Sequence, residues 1–158
     1  MDKILILAGG YSNEREISLI TAKSVVHELK KSKKYKLLLI EPNGTFVKKL
    51  RKFKPKLVLN LLHGRYGEDG YIQAILESEK VKYTHSGVLS SSLAIDKELS
   101  KKIYIKNKIL TPKFLKYSFK NSLNKKKILK KLKRKLGFPL IIKPLNEGSS
   151  VNVFICNK

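Results

Sequence analysis

The run Ile4-Leu5-Ile6-Leu7-Ala8, followed at once by Gly9-Gly10, is the strongest constraint on what this chain can fold into. Five consecutive apolar residues leave no polar face for water, as expected of a strand covered on both sides in a parallel sheet. Gly9-Gly10 makes a tight turn at the strand's end. Ser12 or Asn13 is then placed to cap a helix, with Glu16 three residues past Asn13. Ile17, Ile20, Val25, Val26 and Leu29 recur at helical spacing up to a lysine-rich end near Lys31, which suits the helix macrodipole.

Leu37 to Ile40 reads as a second strand, closed by the turn signal Pro42-Asn43-Gly44. Phe46 to Lys52 reads as a short helix, and Leu57 to Leu62 as a third strand running directly into His63-Gly64. A helix over Asp69 to Glu79 and a short strand over Val81 to Tyr83 complete a first unit. This alternation predicts a doubly wound α/β layout, in which ligands gather at the C-terminal edge of the sheet. Three segments fall at that edge: Gly9 to Glu14, His63 to Gly70, and Tyr83 to Leu89.

After Ser91 the pattern changes. Asp96 to Lys108 reads as a helix, Thr111-Pro112 as a break, and Phe114 to Phe119 as a strand. Ser122 to Lys135 reads as a basic helix with Leu123, Ile128, Leu129, Leu132 and Leu136 inward, ended by Gly137. A strand then runs to Lys143, with Val151 to Cys156 as its hairpin partner. Between them stands Lys143-Pro144-Leu145-Asn146-Glu147-Gly148-Ser149-Ser150. A lysine at a strand tip supplies a point charge, and a Gly/Ser turn supplies unobstructed backbone N–H groups, which together can hold nucleotide phosphates.

Composition narrows the function classes. The 158 residues are 42% hydrophobic, and no apolar run approaches the ~20 residues of a membrane span. The N-terminus has no signal-peptide core, and a single Cys156 forbids an internal disulfide; both predict a cytoplasmic location. The net charge is +23, with no Asp or Glu from Leu99 to Asn146 and 15 Lys/Arg between Lys101 and Lys135. A lysine-biased surface, a polyanion-binding face and a basic tail all fit. Nucleic acid is the least favoured partner, because the cations are nearly all Lys and no aromatic residues interleave them for base stacking.

Two residues at the sheet edge carry chemistry. Glu14, in the first turn of the first helix, either complements the helix dipole or holds a substrate ammonium. His63 ends a strand beside a loop with three glycines in seven positions, where a structural and a functional role are equally open. Glu68 and Asp69 read as caps for the next helix rather than metal ligands, and His27 as a surface residue.

These segments together resemble the D-alanine–D-alanine ligases of bacterial cell-wall synthesis, within the ATP-grasp superfamily. The likeness runs from Gly9-Gly10-Tyr11-Ser12-Asn13-Glu14-Arg15-Glu16-Ile17-Ser18 through His63-Gly64-Arg65-Tyr66-Gly67-Glu68-Asp69-Gly70. It continues in Tyr83-Thr84-His85-Ser86-Gly87-Val88, Asp96-Lys97, Thr111-Pro112 and Pro139 to Val151. The resemblance implies a Rossmann-like parallel-sheet substrate domain over 1–95 and the first part of an ATP-grasp α+β domain over 96–158. It implies that ATP phosphorylates one D-alanine carboxylate and that the amine of a second displaces phosphate, in peptidoglycan precursor synthesis. Glu14 would anchor the first ammonium, with Ser149 in its hydrogen-bond network, and His63 would lie near the carboxylate. Lys97 and Lys143 would contact ATP phosphates, and the loop Glu147, Gly148, Ser149, Ser150 would close over them.

Two departures stand out: His85 and Asn152 occupy positions where the family usually has glycine. The family also runs to roughly twice this length. Its magnesium-binding acids, adenine-contacting strands and phosphate-binding arginine lie in the other part, so no Mg2+ ligand is expected here; after Glu98 the one acid is Glu147. The resemblance therefore implies a chain inactive by itself. The alternatives are half of a split enzyme completed by a C-terminal chain, a non-catalytic D-alanine-binding remnant, or, least favoured, a basic nucleic-acid-binding protein; the resemblance also implies a homodimer.

Overall fold

The computed structural model describes residues 1–118 and 124–157. Three parallel strands, β1 (Asp2–Leu7), β2 (Tyr35–Ile40) and β3 (Leu57–Asn60), lie in the order β2-β1-β3. Leu5 of β1 faces Leu38 on one side and Val58 on the other. As the central strand, β1 must be apolar on both faces, and it is: alternate side chains enter two separate cores. Leu5 and Leu7 pack with Phe46, Leu50, Ile72 and Leu76 from α2 (Phe46–Phe53) and α3 (Tyr71–Ser78). Ile4, Ile6 and Ala8 pack on Ala22, Leu19, Val26 and Leu29 of α1 (Arg15–Lys31). Helices on both faces make the doubly wound layout the sequence predicts.

Several elements differ from the sequence reading. Ile17 and Ile20 are exposed; the inward face of α1 is turned by about one residue, so that Ser18 and Ala22 are the buried positions. The cap position of α1 is Glu14, not Ser12 or Asn13, although Ser12 Oγ accepts the Glu14 N–H at 3.1 Å. The segment Val81–Tyr83 makes only a single parallel bridge, Val58 to Tyr83. The segment Tyr83–Leu89 is not all loop, because α4 (Val88–Ile95) begins inside it.

Beyond α4, Asp96 starts α5 (Lys97–Lys106), its carboxylate accepting the N–H groups of Glu98 and Leu99 at 2.9 Å each. Residues 114–118 form no strand, and Phe119 lies outside the described residues. The basic helix is α6 (Lys125–Lys135), capped by Asn124; Ser122 and Leu123 lie outside the described residues. Ile128, Leu132 and Leu136 are half-buried at four-residue spacing, while Leu129 is exposed rather than inward. The hairpin of β4 (Leu140–Ile142) and β5 (Phe154–Cys156) is antiparallel and starts later than Val151. Its Ile141, Ile142, Phe154 and Ile155 are exposed.

The two glycine-replacing residues both have positive φ, +85° at His85 and +54° at Asn152. Asn tolerates this backbone readily; His85 is offset by its ring Nδ1, 3.2 Å from the Nδ2 of the fully buried Asn60. His85→Ala keeps the backbone strain and loses that contact, whereas His85→Gly loses the contact and relieves the strain. Chemical denaturation should therefore find the Gly variant more stable than the Ala variant by about 1 kcal/mol. Equal stabilities would show that the backbone at 85 is not strained.

Candidate functional site

The ends of β1 and β3 are stitched together by one buried hydroxyl. Ser18 Oγ accepts the Gly9 N–H at 2.8 Å and donates to the Leu61 carbonyl at 2.6 Å. Ser12 Oγ adds a second stitch, donating to the His63 carbonyl at 2.7 Å. Both loops are thereby held side by side above the sheet, with Glu14 between them. Its side chain enters a cleft of about 1170 Å³ whose walls include Tyr11, Phe46, Tyr66, Tyr71, Arg65 and the stretch Pro144–Glu147.

Glu14 is 4% exposed, and no hydrogen bond to its carboxylate occurs among the described residues. Two glycines make room for it. A Cβ on Gly64 would stand 2.6 Å from Glu14 Oε1, and one on Gly148 would stand 3.2 Å from the same atom. Gly148 thus comes from the distant Gly/Ser loop to cover the carboxylate. Ser149 and Ser150 are exposed with φ of +44° and +60°, and neither bonds Glu14 among the described residues. A little-exposed carboxylate that lines a cleft and has no donor among the described residues can anchor a cation there.

His63, next to Gly64, is half-buried beside Thr21 and Glu68. Its Nε2 is 3.4 Å from Thr21 Oγ1, and its Nδ1 is 3.8 Å from Glu68 Oε1. The other Glu68 oxygen accepts the Gly64 N–H at 2.8 Å, so Glu68 braces the glycine loop. Asp69 does approach a capping role, accepting the Tyr71 N–H at 3.1 Å.

Lys97 lies at the start of α5, and its ammonium donates to the carbonyls of Leu145 (3.3 Å) and Glu147. Burial first, and the Lys143 charge second, pull it below the usual lysine range. Lys101, one turn on, is lowered by the same two causes and donates to Thr111 Oγ1 and the Pro112 carbonyl, both at 2.8 Å. Lys143 is exposed at the end of β4. Three cations converge there, and their mutual repulsion favours an anion. The Glu147 carboxylate takes a hydrogen bond from Asn152 Nδ2 at 3.1 Å.

The sequence reading missed Glu41, at the end of β2. Its carboxylate accepts from Arg15 Nη2 at 2.6 Å, Arg15 Nε at 3.1 Å and the Gly10 N–H at 3.3 Å. An acid directly following a strand, with an arginine beside the key glutamate, was the available signal. The Arg15 guanidinium, helped by the Gly10 N–H, holds the Glu41 carboxyl below the usual range. Such a group stabilises the fold above its ordinary value near 4.5 and loses that contribution as pH falls through its lowered value. The stability gap between the wild type and Glu41→Gln should therefore shrink as pH falls through about 4.5 and below. The gap is small, because both partners are partly in water. A gap independent of pH in thermal melts would show that the pair does not hold the turn.

A parallel α/β unit whose strand ends meet a lysine-tipped Gly/Ser loop is the fold of the ATP-grasp ligases. Residues 106–158 match the family described as D-ala D-ala ligase C-terminus. Along 99% of its length the chain is 58% identical to the D-alanine–D-alanine ligase of Pelagibacter ubique, and along 96% it is 44% identical to that of Wolbachia pipientis wMel. It covers 50% and 46% of those proteins. A Bacillus anthracis D-alanine–D-alanine ligase structure superposes on the whole chain with a TM-score of 0.81 at 36% identity. The same enzyme complexed with ATP gives 0.78 at 34%; the chain covers 50% and 51% of the two solved chains. The chain is thus similar to D-alanine–D-alanine ligases and spans about half the length of those it matches.

Proposed function

We propose that this chain is the portion of a D-alanine–D-alanine ligase that anchors the first D-alanine and begins the ATP site, with residues 1–95 as the substrate unit and 96–158 as the start of the ATP-grasp unit. The observation that carries this reading is the buried Glu14 carboxylate, which has no described partner and opens on the cleft between Gly64 and Gly148. It would take the ammonium of D-alanine, with His63 one residue from Gly64 near the substrate carboxylate and Ser149 beside the covering glycine. Lys97 and Lys143 would hold ATP phosphates, with Glu147, Gly148, Ser149 and Ser150 forming the loop above them. When bound, ATP supplies the phosphoryl group that makes the carboxylate reactive, and the lysines stabilise the transferring charge. The loop shuts water away from the activated carboxyl.

The setting we infer is the cytoplasm, in the synthesis of peptidoglycan precursors. No helix among the described residues is long and apolar enough to cross a membrane. Among the same residues no group of three His, Cys, Asp or Glu side chains stands together. Phosphoryl transfer needs its developing charge neutralised, and the reading is that these 158 residues alone form no dipeptide.

D-alanine titrated into the 158-residue chain, followed by NMR, should shift signals around Gly64 and Gly148. Glu14→Gln should weaken that binding about tenfold or more, since a charge-assisted hydrogen bond is lost. Wild-type protein that ignores D-alanine would overturn the substrate reading. Release of phosphate from ATP with D-alanine, abolished by Lys143→Ala, would overturn the prediction of an inactive chain.

A further inference from the structure

The turn that walls the Glu14 pocket is held from underneath. Gly64 stands against Glu14 Oε1, and its carbonyl accepts the N–H groups of Gly67 at 3.1 Å and Glu68 at 2.9 Å. The Gly67 carbonyl in turn receives two side-chain donors, Asn60 Nδ2 from the end of β3 and Gln73 Nε2 from α3, each at 2.8 Å. Both side chains are fully buried. Two elements therefore converge on one backbone oxygen of the turn.

Each amide has its orientation fixed. Asn60 Oδ1 accepts the Leu62 N–H at 3.2 Å, so a turned amide would set donor against donor and oxygen against oxygen. Gln73 Oε1 has no hydrogen bond among the described residues, and turning that amide would face the oxygen to the Gly67 carbonyl. Packing alone does not call for this side chain. Gln73 shares the buried side of α3 with Ile72 and Leu76, where an apolar residue would leave no oxygen without a partner. What glutamine adds is the donor to Gly67. The turn also has little slack: a Cβ on Gly67 would stand 2.4 Å from the Leu62 Cβ, so the two backbones are in close contact.

We propose that Gln73, with Asn60, is a positioning residue for the Glu14 site: two buried amides pin the Gly67 carbonyl, the 64–67 turn follows, and Gly64 is thereby held against the carboxylate. The pinning stands on the observed hydrogen bonds; its consequence for D-alanine rests on the substrate reading above.

Amide hydrogen exchange at pH 5, followed by NMR on the 158-residue chain, reads the turn. Gln73→Met keeps an apolar body of similar length and removes the donor. It should speed exchange at Gly67 and Glu68 about fivefold or more and leave the β1 amides unchanged, as local opening does. Gln73→Glu should return most of the protection at pH 5, because burial keeps its carboxyl protonated and the O–H can donate to Gly67. Gln73→Leu guards against a Met variant that fails to fold. Unchanged exchange at Gly67 and Glu68 in the apolar variants overturns the proposal. Equal acceleration in β1 overturns it as well, since Gln73 would then support the whole fold and not the turn. D-alanine titrations at pH 7 complete the test: Gln73→Met should raise Kd about fivefold or more with Glu14 in place. A wild type that binds D-alanine and a Met variant that binds it equally well overturn the link to Glu14. A wild type that does not bind overturns the substrate reading, while exchange still decides the pinning.

Discussion

The Ser18 hydroxyl, bonded at once to the Gly9 N–H and the Leu61 carbonyl, is the contact on which the cleft is built. It is wholly buried at a position where an apolar side chain would pack as well but would leave two backbone groups without partners. By joining the exits of β1 and β3 it sets the distance between the loop that ends in Glu14 and the loop that begins at His63. Glu41 holds the same turn from the other side, through Gly10 and Arg15. The backbone that carries Glu14 is thus placed by hydrogen bonds to two strand ends. That is the rigidity a binding group needs if its partner is to find it already oriented.

Electrostatics beyond the first unit works in the opposite sense. There Lys97, Lys101 and Lys143 share a small region with Glu14, Glu147 and Asp96 near Lys97, and the two lysines on α5 are pulled below the usual lysine range by burial and by Lys143. Backbone carbonyls of Leu145, Glu147 and Pro112 take the place of counter-ions. Carbonyl dipoles offset part of the desolvation and none of the net charge, so the region is assembled yet still attractive to an anion. Glu98, paired with Lys102 at 2.8 Å and Lys116 at 2.5 Å, holds an acid on the far side of α5 and stays out of this cluster.

Legibility in the sequence follows the same division. The strand at residues 4–8, the turn after it and the helices on both faces could be read because burial on two sides demands unbroken apolar runs. The face of α1 was misplaced because hydrophobic spacing weights Ile17 and Ile20, whereas packing is set by small Ala22 and hydrogen-bonding Ser18. Helix α4 was hidden by its Ser90-Ser91-Ser92 core, which reads as loop until Ser91 is seen buried and bonded to the Ser86 carbonyl at 3.1 Å. Glu14, His63, Lys97 and Lys143 could be singled out as residues of the right chemistry at element ends. That Gly148 covers Glu14, and that Lys97 holds the covering loop, could not, because those contacts join segments with no shared local pattern.

Burial is distributed so that the site straddles firm and soft parts of the chain. Among the described residues Leu140 is the one buried hydrophobic beyond Leu76, and no residue of α6 is buried. Apolar burial is the main favourable term in folding, so residues 96–157 draw little stability from a core of their own. What fastens them is specific and local: the Asp96 cap, Ser100 Oγ donating to the Leu93 and Ala94 carbonyls, and Lys97 with its loop. Regions held by a few polar contacts open at lower free energy than the core they lean on. Glu14 itself belongs to the firm part, on a helix packed against β1, while its cover belongs to the soft part. A carboxylate carried by a helix on the sheet is thus covered by a glycine from the less buried part of the chain.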